Sequence, residues 1–382
     1  MPGILLDLSV NYKLLILMNV PFNNLYLQYL SLKDEIDSAI KEVIENSSFI
    51  RGKFVDEFEH NFANTIGVKN CVSCANGTDA IFIALKSLGV EENDEIIVPA
   101  HSWIATSEVV TLAGAKVVFC DTQKDTFTMC PISLESKLSS KTVGIIPVHL
   151  FGQPADMDEI MKVAHTNNLW VIEDCAQAHI ACYKGKRVGS IGSVGTFSFY
   201  PGKNLGAMGD AGAIVTNDNQ LAYKMASFAR HGGLKKGVHE IEGMNSRMDG
   251  MQAAILGVKL PHLENWTKNR QDIVHSYMQN LANLEDIVLP QTSPFRNHVY
   301  HLFVIKSKNR DNLKSHLRDK GIQTVINYPI ALPFLEAYSH LFHRREEFPN
   351  AYDNQKSILS LPLFPEMNRL EIEYVVETIN NF

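Results

Sequence analysis

One stretch constrains this chain more than any other: Gly195–Gly212, which reads GTFSFYPGKNLGAMGDAG. It opens as an alternation of apolar and small polar residues from Gly195 to Tyr200, the pattern of a strand. Pro201-Gly202 stops that strand, and Lys203 follows at once. A turn carrying Gly206, Gly209 and Gly212 then leads into a second apolar strand, Ala213–Thr216. A lysine just past a strand end, walled by Phe and Tyr, suits Schiff-base chemistry. Apolar surroundings disfavour the ammonium, lower its pKa and free the amine as a nucleophile. The plain alternative is an ordinary lysine in a surface turn.

Two nucleotide-binding readings fail here. A phosphate-binding P-loop would need glycine and Ser/Thr where this chain has Phe197 and Asn204. The glycines at 206, 209 and 212 also lack the G-x-G opening of a dinucleotide fingerprint. A second landmark separates the remaining readings. Residues 169–178, LWVIEDCAQA, form a buried-strand pattern that ends in Glu173-Asp174 and turns toward Gln177. Asp174 precedes Lys203 by 29 positions (203 − 174). A carboxylate at a strand's carboxyl end, paired with such a lysine, meets the needs of pyridoxal 5'-phosphate. The aspartate keeps the pyridine nitrogen protonated and the lysine holds the aldehyde as an imine.

The stretch VIEDCAQAH…GTFSFYPGKNLGAMGDAGAIVTND closely resembles the DegT/DnrJ/EryC1/StrS sugar-nucleotide aminotransferases. The resemblance covers roughly residues 20–370. It implies an α/β fold-type I architecture: a large, mostly parallel α/β/α cofactor-binding domain at 19–270 with its entry segment, and a smaller α/β domain at 271–382. It also implies that Trp103 stacks on the cofactor ring, that Ser198 binds the phosphate, and that Gln177 lies beside the ring's 3′-oxygen. The loop from Arg230 to Asp249 is implied to cross a two-fold interface. Asn245 would then contact the phosphate of the partner's cofactor, in a homodimer with shared active sites. The Phe49-Ile50-Arg51-Gly52 segment lies beside the active site in such relatives, although its residues read equally well as a plain interhelix loop.

Composition narrows the partners. With 45% hydrophobic and 20% charged residues, the chain is of soluble globular type. Its net charge of −7 offers no basic face for nucleic acid, so acidic substrates must be met by local cations and backbone amides. The six cysteines are scattered through strand-like segments, as free thiols in a reducing cytoplasm would be. Cys71-Val72-Ser73-Cys74 reads as buried thiols in an apolar strand, and no metal site is expected. No membrane partner is expected either, since the early apolar run Leu14–Met18 is far short of the ~20 residues a span needs. Residues 1–18 read as an N-terminal extension, with Met18 offering an alternative start.

Along the chain a β-α-β-α-β pattern begins at Cys71. Asn76-Gly77-Thr78-Asp79 opens a helix, where the residues alone leave a phosphate site and a simple capping turn equally open. The resemblance assigns Gly77 and Thr78 to the phosphate. Strands are expected at Glu95–Pro99, Lys116–Cys120 and Val143–Val148, with ligands at strand C-termini. His149 reads as structural because nothing local supplies a partner. A kink is expected at Pro261. The C-terminal part is expected to carry strands at Tyr300–Lys306 and Thr324–Tyr328 around helix Asn312–Lys320, and a terminal helix. Many relatives have a histidine where this chain has Asn327, before Tyr328-Pro329.

The resulting expectation is a transaminase that moves an amino group from L-glutamate, leaving 2-oxoglutarate, to a nucleotide-linked keto-deoxysugar. Relatives that aminate C4 tend to show N-Y-R-M in the interface loop, and those that aminate C3 tend to show N-S-R-L-D. Asn245-Ser246-Arg247-Met248-Asp249 lies nearer the second, pointing to a 3-keto sugar; a 4-keto-6-deoxy sugar is the alternative. A dehydratase on the same fold would have histidine in place of Lys203. A non-catalytic cofactor-binding regulator would need a DNA-binding extension, and no basic helix-turn-helix stretch is read.

Overall fold

The computed structural model describes residues 18–382, so the expected N-terminal extension lies outside the described residues except for Met18. Seven strands form the main sheet: β1 (Asn70–Cys74), β2 (Glu95–Pro99), β3 (Lys116–Cys120), β4 (Thr142–Ile145), β5 (Trp170–Asp174), β6 (Val194–Ser198) and β7 (Gly212–Thr216). Their spatial order is β1-β7-β6-β5-β4-β2-β3. All neighbours pair in parallel except around β7, which runs antiparallel to both β1 and β6. Strands covered on both faces read as continuous apolar runs, and Glu95–Pro99 and Trp170–Asp174 are of that kind. One face packs on helices Gly77–Ser87, Ala105–Leu112 and Asn219–Phe228. The other packs on helices Lys53–Ile66 and Gly250–Lys259, where Phe62 meets Phe197 and Phe199 edge-on.

The strand expected at Val143–Val148 stops at Ile145, because Pro147 cannot donate to the ladder. Only a single bridge, Val148 to Asp174, continues it. At Pro261 the helical path breaks into a 3₁₀ turn, Leu260–His262, between helices Gly250–Lys259 and Leu263–Leu281.

The C-terminal part holds a three-stranded antiparallel sheet, Ile287–Val288, Phe303–Ser307 and Ile358–Leu361 in that order. Helices Leu263–Leu281, Arg310–Asp319 and Arg369–Asn380 supply Tyr277, Leu313 and Val375 to its core. The expected strand Thr324–Tyr328 does not form. One bridge, Val325 to Ser360, and the Ser360 hydroxyl on Asn327 Oδ1 at 2.8 Å join it to the outer edge of Ile358–Leu361, which is the strand paired with Phe303–Ser307. Beyond that bridge the Tyr328 N–H leaves the sheet and donates to His101 Nε2 at 3.1 Å. Val20 belongs to this C-terminal core and is held there by its N–H on Gly321 O at 2.9 Å. The expected domain boundary at 270/271 falls inside helix Leu263–Leu281.

Candidate active site

The carboxyl ends of β1, β2, β5 and β6 converge on one cavity of about 720 Å³. Gly77, Thr78, Trp103, Asp174, Gln177, Ser198 and Lys203 all line it. Asn245 does not: it is exposed in the loop after Gly243 and lines no part of this chain's own cavity. Neither Phe49 nor Ile50 reaches the cavity; both are exposed, and Ile50 bridges to Asp249.

The Lys203 turn is clamped on both sides. The Lys203 N–H donates to Tyr200 O at 2.8 Å. Asn204 donates from Nδ2 to Val299 O at 3.0 Å, and its Oδ1 accepts from His301 Nδ1 at 3.2 Å. Lys259 Nζ donates to Gly206 O at 2.8 Å. Gly206 has to be glycine, because a Cβ there would meet Pro201 O at 2.2 Å. Burial pushes the Lys203 ammonium down to about 8 from its usual 10.5, against the pull of Asp174.

Asp174 ends β5 with its carboxylate buried. Oδ2 accepts from Thr106 Oγ1 at 2.8 Å, and Oδ1 accepts from the Ala176 N–H at 3.1 Å. Burial raises its pKa above the usual value, while these two bonds and the charge of Lys203 lower it. Ser102 Oγ lies 3.0 Å from Thr106 Oγ1 and completes the chain.

At the opposite end, the Asn76 side chain caps helix Gly77–Ser87 by accepting from the Asp79 N–H at 2.8 Å. The capping and anion-binding readings of this turn are therefore compatible. The cap uses the third amide and leaves those of Gly77 and Thr78 facing the cavity, at the positive end of the helix. A Cβ on Gly77 would lie 2.6 Å from Ser198 Cβ, so glycine is what lets the helix start and β6 approach so closely. Trp103 is 58% exposed, an unusual state for an indole, and its ring lies 5.5 Å from that of Tyr328 at 45°. Gln177 accepts from the Phe151 N–H at 2.7 Å and donates from Nε2 to Tyr328 Oη at 2.8 Å.

His149 is fully buried, and it does have a partner: Glu173 Oε2, 3.0 Å from Nε2. Because Nδ1 accepts from the Ala155 N–H at 2.9 Å, Nε2 carries the proton. Glu173 completes its own bonding with the N–H groups of Ile191 and Gly192, each at 2.7 Å. His149, Glu173 and Cys175 could approach a metal ion as a group, but the first two are already committed in this way. All six cysteines are free, and burial pushes the Cys71 and Cys74 thiols up, so neither is poised as a thiolate.

The sequence reading missed Thr106, Ser102, Arg270 and His301, all of which line the cavity or orient what does. Thr106 and Ser102 carried a usable signal, since they flank Trp103 just past a strand end. Arg270 and His301 carried none. They lie in a helix and a loop whose approach to Lys203 depends on contacts about 70 to 100 residues away.

The residues present fit pyridoxal phosphate. They comprise a desolvated lysine, a buried carboxylate oriented by two donors, an open indole face, and a helix start beside Ser198 within one cavity. Among relatives, a "pleiotropic regulatory protein" of Geobacillus stearothermophilus is 43% identical over 367 residues, covering 96% of this chain and 99% of that protein. The dTDP-3-amino-3,6-dideoxy-alpha-D-galactopyranose transaminase of Aneurinibacillus thermoaerophilus is 41% identical, covering 95% and 99%. The crystal structure of DesV from S. venezuelae superposes with a TM-score of 0.93 at 38% identity, covering 95% and 98%. The model of the DegT/DnrJ/EryC1/StrS aminotransferase family matches residues 30–380, and this chain belongs to that family.

Proposed function

We propose that this chain is a pyridoxal-phosphate-dependent transaminase that carries an amino group from L-glutamate to C3 of a nucleotide-linked 3-keto sugar. The observation that carries the reading is Lys203 with its pKa near 8, opening into the same cavity as the oriented carboxylate of Asp174. When bound, the cofactor supplies an electron sink next to the carbon that exchanges its amine. Lys203, as the neutral amine, binds the cofactor's aldehyde carbon. Its free amine would also be placed to move a proton at the donor's α-carbon. Asp174 holds the proton on the ring nitrogen, and Thr106 with the Ala176 amide keeps its carboxylate in place. The Gly77 and Thr78 amides and the Ser198 hydroxyl would hold the phosphate, and Trp103 would supply an aromatic face for the ring.

C3 amination is supported by the loop Asn245–Asp249 and by the 3-amino product named for the Aneurinibacillus relative. In the same reading the active form is a homodimer, with Asn245 reaching the partner's phosphate. Its exposure in a loop that lines no part of this chain's own cavity supports this. A non-catalytic cofactor-binding regulator, which the name of the Geobacillus relative would suit, would also hold the cofactor on Lys203, and only conversion by glutamate separates the two readings. The test has two arms. Glutamate added to the loaded protein should convert its visible absorbance to the near-ultraviolet band of the amine form. Incubation with glutamate and dTDP-, UDP- or GDP-linked 3-keto and 4-keto sugars should yield a 3-amino sugar. A 4-amino product would overturn the C3 assignment, and an unchanged spectrum would overturn transamination itself.

A further inference from the structure

The turn that opens helix Gly77–Ser87 beside the cavity carries an anion of its own, Asp79, in the first turn of that helix. At a bare helix start a carboxylate is favourable, since it meets the positive end of the dipole. Beside a bound phosphate it is a liability, because two anions repel and compete for the same field. Asp79 nevertheless lines no part of the cavity. Its Oδ2 accepts from Ser246 Oγ at 2.6 Å, and Ser246 is fully buried.

The Ser246 hydroxyl has one proton to give. Its Oγ also accepts from the Ala75 N–H at 3.0 Å, so that proton goes to Asp79. One hydroxyl thus joins the residue after β1 to the first turn of the helix, and the three residues spanned, Asn76, Gly77 and Thr78, all line the cavity. Ser246 is itself anchored. Its N–H donates to Ala229 O at 3.0 Å, and the preceding Asn245 bridges to Arg230. Arg230 lies 3.5 Å from Glu59 Oε1, which accepts from the Ser73 N–H and from Ser73 Oγ, each at 2.7 Å. The loop is tied back to the strand from which the turn departs. All of these bonds lie within one chain, so they hold whatever Asn245 reaches.

We infer that Ser246 is a positioning residue for the cofactor's phosphate, holding the Asp79 carboxylate away from the anion site, an assignment that rests on the placement of the phosphate at Gly77, Thr78 and Ser198 read above. In the test, apoenzyme is titrated with pyridoxal 5'-phosphate and, separately, with pyridoxal, which lacks the phosphate, and absorbance follows both. Ser246→Ala should weaken the phosphorylated ligand about tenfold and leave pyridoxal within about twofold of wild type. With Asp79→Asn already in place the second anion is gone, and the same Ser246→Ala change should cost less than about threefold. Wild-type affinity for the phosphorylated ligand in Ser246→Ala would overturn the assignment. So would equal losses for both ligands, which would mark general damage to the fold, or an undiminished loss beside Asp79→Asn. If Ser246→Ala does not fold, Ser246→Cys, whose thiol donates weakly, faces the same outcomes. Ser198→Ala reads the placement of the phosphate by itself. If it loses the preference for the phosphorylated ligand while Ser246→Ala keeps it, only the role of Ser246 fails. If Ser198→Ala keeps the full preference, the placement fails, and the role of Ser246 with it.

Discussion

Two walls of one cavity differ in how they are built. The sheet wall carries Asp174, Ser198 and Lys203 on strand ends and the turn that follows, with backbone and side-chain bonds on each side of every functional group. The C-terminal wall carries Arg270, His301, Asn327, Tyr328 and Leu363 on segments that share no strand with one another. Asn327 and Tyr328 are held by the bridge at Val325, by side-chain bonds from Ser360 to Asn327 and from Gln177 to Tyr328, and by the Tyr328 N–H bond to His101. This division suits the chemistry. Groups that act on the cofactor need fixed geometry, and a sheet edge supplies it. Groups that choose the substrate can sit on loops, where sequence changes without disturbing the core.

Substitutions at the two walls should therefore differ in kind. The largest effect is expected at Lys203. Lys203→Ala should lose the covalent attachment and at least about four orders of magnitude in turnover, since no second lysine among the described residues lines the cavity. Borohydride reduction followed by peptide mapping checks it. Label appearing on another lysine, with turnover intact, would break the contrast between the walls at its strongest point.

Asp174→Asn comes next. The amide keeps the shape, with its oxygen accepting from the Ala176 N–H and its NH2 turned to donate to Thr106 Oγ1, but it lacks the charge that holds a proton on the ring nitrogen. A loss of about 3–5 kcal/mol, or roughly 10²–10⁴-fold in the chemical step, is expected with cofactor loading preserved. Single-turnover kinetics on the loaded variant measure it, and unchanged turnover would reduce Asp174 to a tether.

These two residues were legible because each lies within a local pattern: apolar strand, polar end, glycine turn. The order of elements from β1 to β7 was legible for the same reason, since runs such as Glu95–Pro99 are bounded by their own turn residues. The C-terminal part was less so. Thr324–Tyr328 has the composition of a strand, but it meets the sheet only at the outer edge of Ile358–Leu361, through the Val325–Ser360 bridge, before the Tyr328 N–H turns to His101. The partner of His149 was missed because Glu173 is 24 positions away, brought close only by the parallel neighbours β4 and β5. Arg270 is invisible to periodicity, which reads it as the polar face of a helix.

The protonation of Lys203 sharpens the contrast further. With its pKa near 8, about a tenth of the amine is neutral at pH 7 and nearly all of it at pH 9. Capture of the aldehyde by apoenzyme should accelerate about tenfold over that interval and then level off. A rate still climbing at pH 10 would mean that the wall does not desolvate the lysine. Stability should follow the same sign. Between pH 8 and the usual 10.5 the unfolded chain binds more protons at this site, so the apoenzyme gains stability as pH rises through that window. Asp174 has the opposite sign. Its raised pKa means that the folded chain holds the proton longer, and the corresponding stability is lost as pH rises through the raised value.

The smallest effect is expected on the C-terminal wall, at Tyr328. Its hydroxyl accepts from Gln177 Nε2 at 2.8 Å, while the other end of Gln177 accepts from the Phe151 N–H. Tyr328→Phe removes one neutral hydrogen bond at a group facing an open cavity, where water can replace the lost partner. The net loss should be about 0.5–1.5 kcal/mol, or roughly 2–10-fold, and it should appear in the KM of the keto sugar. The ring stays in place beside Trp103, held by the backbone bond to His101, so cofactor affinity should not change. Steady-state kinetics with both substrates varied, alongside a cofactor titration, separate these outcomes. A hundredfold fall in turnover together with lost cofactor would show that the loop-built wall carries as much of the chemistry as the sheet, and the division between positioning and selection would fail.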